Sequence, residues 1–227
     1  MDIENRLAAL GRIYDIYDEF AATLDLACKK ACAHCCTSNV TLTTLEGYKI
    51  IRSLLSASKT DLITEVQTTL DPNRFQPDLT TNQLAELCAG GVEPPDETDA
   101  TASQVCFQLA DSLCSIYELR PFGCRCLVSR TNCGATGYAE IDDFVLSVNT
   151  VFLQTIEHVD ADGCTGNLVD VLRVISSLDN RAAYENGTLN CETSGLISNH
   201  PLTALMVPPQ HRRRIEPTLQ KLRQINL

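Results

Sequence analysis

Cys28-Lys-Lys-Ala-Cys32-Ala-His-Cys35-Cys36 crowds four thiols into one short stretch. The positions are i, i+4, i+7 and i+8, which would share one face of a helix. No Leu, Ile or Val joins them on that stripe, so they do not read as small core residues. Adjacent Cys35 and Cys36 are poorly placed to pair with each other. An unbroken helix over 28–36 would be ~12 Å long, whereas thiolates lie ~2.3 Å from a zinc ion. Four sulfurs on such a helix cannot share one mononuclear metal. Either the helix breaks after Cys28, or the set divides between centres, or distant cysteines complete a cluster. Lys29 and Lys30 favour thiolate forms through their charge, or serve as an ordinary basic C-terminal turn.

Working outward, the stretch is fed by a helix. Ile3, Leu7, Leu10, Tyr14, Tyr17, Ala21 and Leu24 recur at 4-3-4-3 spacing, and Cys28 falls on the next step. Downstream, Thr43 with Glu46 is a capping-box signature and predicts a helix over about 44–57. Further helices are expected at about 60–70, ending at Asp71-Pro72, and at 81–88, closed by Gly90. Residues 90–103, with two Pro, two Gly and four acids, read as a linker. The period of two in 106–109 and 114–117 around Ala110-Asp111-Ser112 predicts a short β-hairpin. Residues 127–140 read as irregular. Long helices are expected at 141–156 and 167–183, and a last one after Pro208-Pro209 through Leu227. The fold class is mainly α: an irregular helical, cysteine-rich domain with a small β-hairpin. The expected organisation is a cysteine-cluster domain over 1–166 and a helical extension over 167–227 packed on it.

Composition narrows the function. The chain has 227 residues, 44% hydrophobic and 21% charged, with a formal charge of −11. That charge repels phosphate and argues against nucleic acid as a partner. No apolar run approaches a membrane span. MDIENRLAAL lacks the basic and apolar regions of a signal peptide, so a cytoplasmic location is expected, where thiols stay reduced. Twelve cysteines then read as metal ligands or redox groups before disulfides.

The second cluster reads Cys114-Ser-Ile-Tyr117-Glu-Leu-Arg120-Pro121-Phe-Gly-Cys124-Arg125, with Cys106 ahead of it. Taken together, Cys28-x3-Cys32-x2-Cys35-Cys36, Cys106 and Cys114-x-Ile-Tyr-x2-Arg-Pro-x2-Cys124-Arg resemble the zinc- or iron-chelating cysteine-cluster family. That is the YkgJ-like group, which includes the flagellin lysine N-methylases. Cys164-Thr165-Gly166 stands where the family carries Cys-Pro-Gly. The resemblance spans about residues 24–166. It implies a metal site built from Cys28, Cys32, Cys35, Cys36, Cys106, Cys114, Cys124 and Cys164.

The residues themselves add detail. Arg120 and Arg125 could offset thiolate charge and donate hydrogen bonds to sulfur, or they could pair with acids such as Glu118. Cys126 and Cys133 follow Cys124 closely, as extra donors or free thiols. Cys88 and Cys191 read as buried free thiols, Cys191 being isolated between Asn190 and Glu192. His34 is a candidate ligand inside the first cluster; His158 is a weaker one.

The Cys-x3-Cys-x2-Cys spacing also matches radical S-adenosylmethionine enzymes, but those present it after a barrel strand, and here a helix leads in. The expected function is a metal-binding protein holding an iron–sulfur cluster or zinc through clustered cysteines, with iron–sulfur favoured because the spacing differs from paired zinc knuckles. Two alternatives remain: a methylase-like enzyme acting on a protein lysine, resting on the family alone, and a zinc-stabilised adaptor without catalysis. Expected partners are the metal and a protein substrate or partner.

Overall fold

A computed structural model describes residues 1–69, 72–95 and 104–225. The expected helix end at Leu70-Asp71, residues 96–103 of the expected linker and the final two residues lie outside the described residues. In chain order the elements are α1 (Ile3–Ala21), β1 (Thr41–Thr43), α2 (Thr44–Ser56), α3 (Thr60–Thr68), α4 (Thr81–Ala89), β2 (Leu109–Ala110), β3 (Leu113–Cys114), α5 (Phe122–Arg125), α6 (Cys133–Thr136), α7 (Asp143–Val159), β4 (Cys164–Asn167), α8 (Leu168–Ser176), α9 (Leu178–Glu185), β5 (Ile197–Ser198) and α10 (Arg212–Arg223). The protein is mainly α, as the periodicities predict.

Local chemistry sets most boundaries. Asp2 caps α1 by accepting from the Asn5 N–H at 2.8 Å. The Thr43–Glu46 box caps α2, and a second box, Thr80 with Gln83, caps α4. The stripe Leu10, Ile13, Tyr14 and Tyr17 is buried. It stops at Ala21, because the Thr23 hydroxyl and N–H both turn back onto the Phe20 carbonyl. The helix therefore ends before the cysteines instead of running into them.

The helix expected over 167–183 is two helices. Ser177 is extended (φ −70°, ψ 134°), and Arg181 donates to the freed carbonyls of Ile175 and Ser176 at 2.9 and 2.8 Å. Those charge-assisted bonds replace the intrahelical partners lost at the break. The β2–β3 hairpin is shorter than expected. Asp111 and Ser112 both have positive φ, the two-residue turn whose twist matches a hairpin.

The periodicity did not reveal an antiparallel sheet of order β1-β4-β5, with Leu42 opposite Gly166 and Thr165 opposite Ile197. Its strands are too short to carry a period-two signal. The expected division at 166/167 falls inside β4. α2 packs on α8, and α1 packs on α7 and α10. Tyr17, Phe122 and Phe152 meet at centroid distances of 4.7–5.6 Å, joining α1, α5 and α7 in the core.

One polar hub is sealed inside. Asp160 has 0% exposure. It accepts from the Thr44 hydroxyl (2.7 Å), the Leu45 N–H (2.9 Å), the Tyr184 hydroxyl (2.5 Å) and Arg6 (3.3 Å). Burial still pushes its carboxyl up to about 6. No helix among the described residues is long and apolar enough to cross a membrane.

Candidate metal centre

The two cysteine clusters are joined through backbone. Thr37 bridges Val105, Ser38 N–H donates to the Gln104 carbonyl (2.9 Å), and Cys106 N–H donates to the Cys36 carbonyl (3.0 Å). Residues 27–36 are a chain of turns, with Cys32 N–H on the Lys29 carbonyl and Cys36 N–H on that of Ala33. Ala31 is left-handed at φ 72°, an uncommon conformation for alanine. The geometric objection to one helix is thereby answered: these cysteines sit on an irregular loop that can present them in several directions.

Cys124 rides on the single turn α5. The Glu46 carboxylate, 3% exposed, accepts from the Phe122 N–H and the Tyr14 hydroxyl, each at 2.7 Å, while its other oxygen accepts from the Thr43 N–H. The residue that caps α2 thus also pins the start of α5. Gly123 allows the turn to lie flat on β1, since a Cβ there would stand 2.7 Å from the Thr41 carbonyl oxygen. Cys114 ends the hairpin strand β3.

The outcome is a cavity of about 180 Å³ lined by Cys28, Cys32, Cys35, Cys36, Cys106, Cys114 and Cys124, with apolar walls from Leu26, Val40, Leu109 and Val128. Burial pushes the Cys124 thiol well above its ordinary value, and the nearby Cys106, Cys114 and Cys36 add to it. Cys36 is raised by burial and then by Cys106 and Cys114. Cys126, on the flank of this set, is pushed up to about 12 by burial. Arg120 lines the same cavity and opposes the rise at Cys28 and at Cys36. Its guanidinium lies 4.2 Å from the Tyr117 ring, and its buried Nε has no hydrogen-bond partner among the described residues. A spare cationic donor beside several thiols suits an anionic metal–thiolate group.

The other expected site residues fall elsewhere. Cys164 is not with the seven: it is fully buried in β4 and disulfide-bonded to Cys191 across 5.6 Å between Cα atoms. A sulfur in that bond is no thiolate donor, so both the ligand expectation for Cys164 and the free-thiol expectation for Cys191 are corrected. The cause is tertiary: β4 and the turn before β5 converge only in the folded chain. Arg125 borders the cavity, but its donors go to Asp18 (3.2 Å) and to the carbonyls of Arg120 and Glu118. It braces the turn before Cys124 and does not face sulfur with a free donor. Cys88 is exposed on α4, not buried. His158 accepts from the Leu202 N–H, apart from the cysteines. His34 is exposed beside the first cluster and borders a second recess with Cys133.

Among the described residues, no three Cys, His, Asp or Glu side chains already converge as a coordination set. The donor chemistry nonetheless fits a thiophilic metal: seven sulfurs edge one cavity, and a cysteine re-aims its sulfur by a χ1 step between staggered wells without moving backbone.

Residues 27–138 match a family model described as CxxCxxCC, "putative zinc- or iron-chelating domain". That segment contains all seven cavity cysteines. The family's name spells two residues between its first cysteines, whereas this chain has three, with left-handed Ala31 among them. No curated protein and no solved structure matches the chain.

Proposed function

We propose that this chain is a metal-binding protein in which Cys36, Cys106, Cys114 and Cys124, with Cys35 at the edge, hold an iron–sulfur cluster. The supporting observation is the shared cavity: two cysteine clusters about 70 residues apart are brought together over about 180 Å³ of space with apolar walls. A single zinc ion closed by four sulfurs needs no such space, whereas a cluster does. Cluster ligation by four thiolates is an ordinary arrangement. When bound, the cluster supplies one-electron transfer chemistry. The chain's own residues supply the thiolates, shield them from water with Leu26, Val40, Leu109 and Val128, and set positive charge beside them through Arg120.

Burial raises the Cys35, Cys36, Cys106 and Cys124 thiols, so these hold their protons at neutral pH until a cation displaces them, and metal uptake releases protons. The test is anaerobic purification of the full chain with iron, sulfide and zinc analysis and a visible spectrum. A brown protein with iron and sulfide in equal amounts is expected. A colourless protein carrying zinc in the same cysteines would replace this reading with a zinc-stabilised adaptor. A metal-free chain that takes up neither iron nor zinc would refute it.

A further inference from the structure

A second recess adjoins the main cavity, and two thiols edge both. Cys28 and Cys32 edge the main cavity, but they also line a neighbouring recess of about 210 Å³ with His34 and Cys133. Cys133 opens α6, on a loop that folds back over the first cluster. Ala27 N–H donates to the Ser129 carbonyl (2.9 Å), and Ser129 N–H donates to the Cys28 sulfur (3.2 Å). The Ser129 hydroxyl accepts from the N–H groups of Thr131 and Glu140, which holds the loop in this turn. The His34 ring packs directly on Gly134, so closely that any Cβ at that position would collide with Nε2. Glycine therefore lets the imidazole reach the turn that carries Cys133. Cys133 lies near Cys28, whereas Cys106 and Cys114 lie near Cys124; Cys32 and Cys35 stand between the two sets, Cys35 near Cys28 and Cys32 near Cys36.

We propose that Cys28, Cys32, Cys133 and His34 form a second, separate zinc site beside the main centre. Three cysteines and one histidine are a complete donor set for closed, tetrahedral structural zinc. The ion would tie the 27–36 loop to the 126–136 loop, which are otherwise joined by few bonds. The bonds of Ala27 and Cys28 to Ser129 hold Cys28 against the loop that carries Cys133. This inference rests on the metal-binding reading of the cysteines, and its test is separable from that reading.

The experiment is anaerobic titration of the reduced full chain with Co²⁺ alone, followed by visible absorbance, for wild type, Cys133→Ser, His34→Ala, His34→Cys and Cys124→Ser. Wild type should bind two ions with two distinct thiolate–cobalt spectra. Cys133→Ser should lose one ion and keep the tetrathiolate spectrum, and Cys124→Ser should lose the other. His34 is exposed, so its replacement leaves the fold intact. His34→Ala should weaken one of the two ions at least about tenfold. His34→Cys should keep both ions and convert the mixed spectrum to an all-sulfur one. Two ions retained with unchanged spectra in both Cys133→Ser and His34→Ala would overturn the second site. One binding event abolished equally by Cys133→Ser and Cys124→Ser would overturn it in favour of a single joint centre, leaving the proposed function standing. No cobalt bound by wild type would overturn both.

Discussion

Asp160 and Cys124 mark two places where distant segments meet, and they are finished to different degrees. Around Asp160, residues from α1, α2 and α9 supply a donor to each carboxylate lone pair, and the hub is fully enclosed. Beside it Cys164 and Cys191 are already bonded to each other. Around Cys124, sulfurs from the 27–36 loop, the hairpin and α5 edge one cavity without bonding one another, and Arg120 keeps an unpartnered donor. Buried polar groups left open are costly unless something completes them. The Asp160 carboxylate is satisfied, although Arg6 Nε beside it is also unpartnered among the described residues; the difference lies in the free thiols around Cys124, and that is where a ligand belongs.

The strongest way to break this contrast is Asp160→Ala. Removing one partner of a buried pair leaves Arg6 charged and enclosed, and should cost ~3–5 kcal/mol in urea unfolding at pH 7. Metal content of the folded fraction should not change; a loss of metal with stability intact would merge the two regions into one site.

The disulfide comes next. Cys191→Ser opens a loop closed by a bond of sequence separation 27, worth ~3.5 kcal/mol by the chain-entropy relation. Thermal midpoint should fall while iron and zinc per chain stay at wild-type values. Cys124→Ser should do the reverse, lowering metal content in a chain whose disulfide still forms. If Cys191→Ser strips the metal, the separation drawn between the two sulfur regions is wrong.

The hub also has a pH signature. The Asp160 carboxyl sits at about 6 in the fold against 3.8 when free. A raised carboxyl binds its proton more tightly folded than unfolded. Its contribution is therefore complete below about pH 3.8 and is lost as pH rises through about 6. At ~1.4 kcal/mol per unit the difference is ~3 kcal/mol. Comparing urea unfolding of wild type and Asp160→Asn at pH 4 and 7 isolates it: the variant should lack that share of the decline. Equal pH dependence in both proteins would show that Asp160 does not titrate this way.

The mildest test sharpens the other side. Arg120→Gln should leave folding nearly unchanged and weaken metal affinity ~10–100-fold, since it removes charge beside the thiolates and no ligand. Arg125→Gln should instead loosen the turn before Cys124, read as faster proteolysis there. Equal metal affinities for Arg120→Gln and wild type would leave the cationic donor without a role.

The amino-acid sequence by itself determined the helices whose signals are local. The α1 stripe, the Thr43–Glu46 box and the Asp111-Ser112 turn each depend on residues within a few positions of one another, so they could be read directly. It also marked Cys28 to Cys36 and Cys106 to Cys124 as chemically special, because thiols at those spacings have no packing use. Tertiary structure alone decided the rest. The pairing of Cys164 with Cys191, the β1-β4-β5 sheet, and the second duty of Glu46 as anchor of α5 all join segments tens of residues apart through bonds with no local signature. Which cysteines face the main cavity and which face Cys133 likewise depends on how the loop at 128–133 folds back over Cys28. Two residues such as Cys126 and Cys133 look alike in the chain; only burial and neighbours distinguish the thiol that closes α5 from the one that lines the second recess.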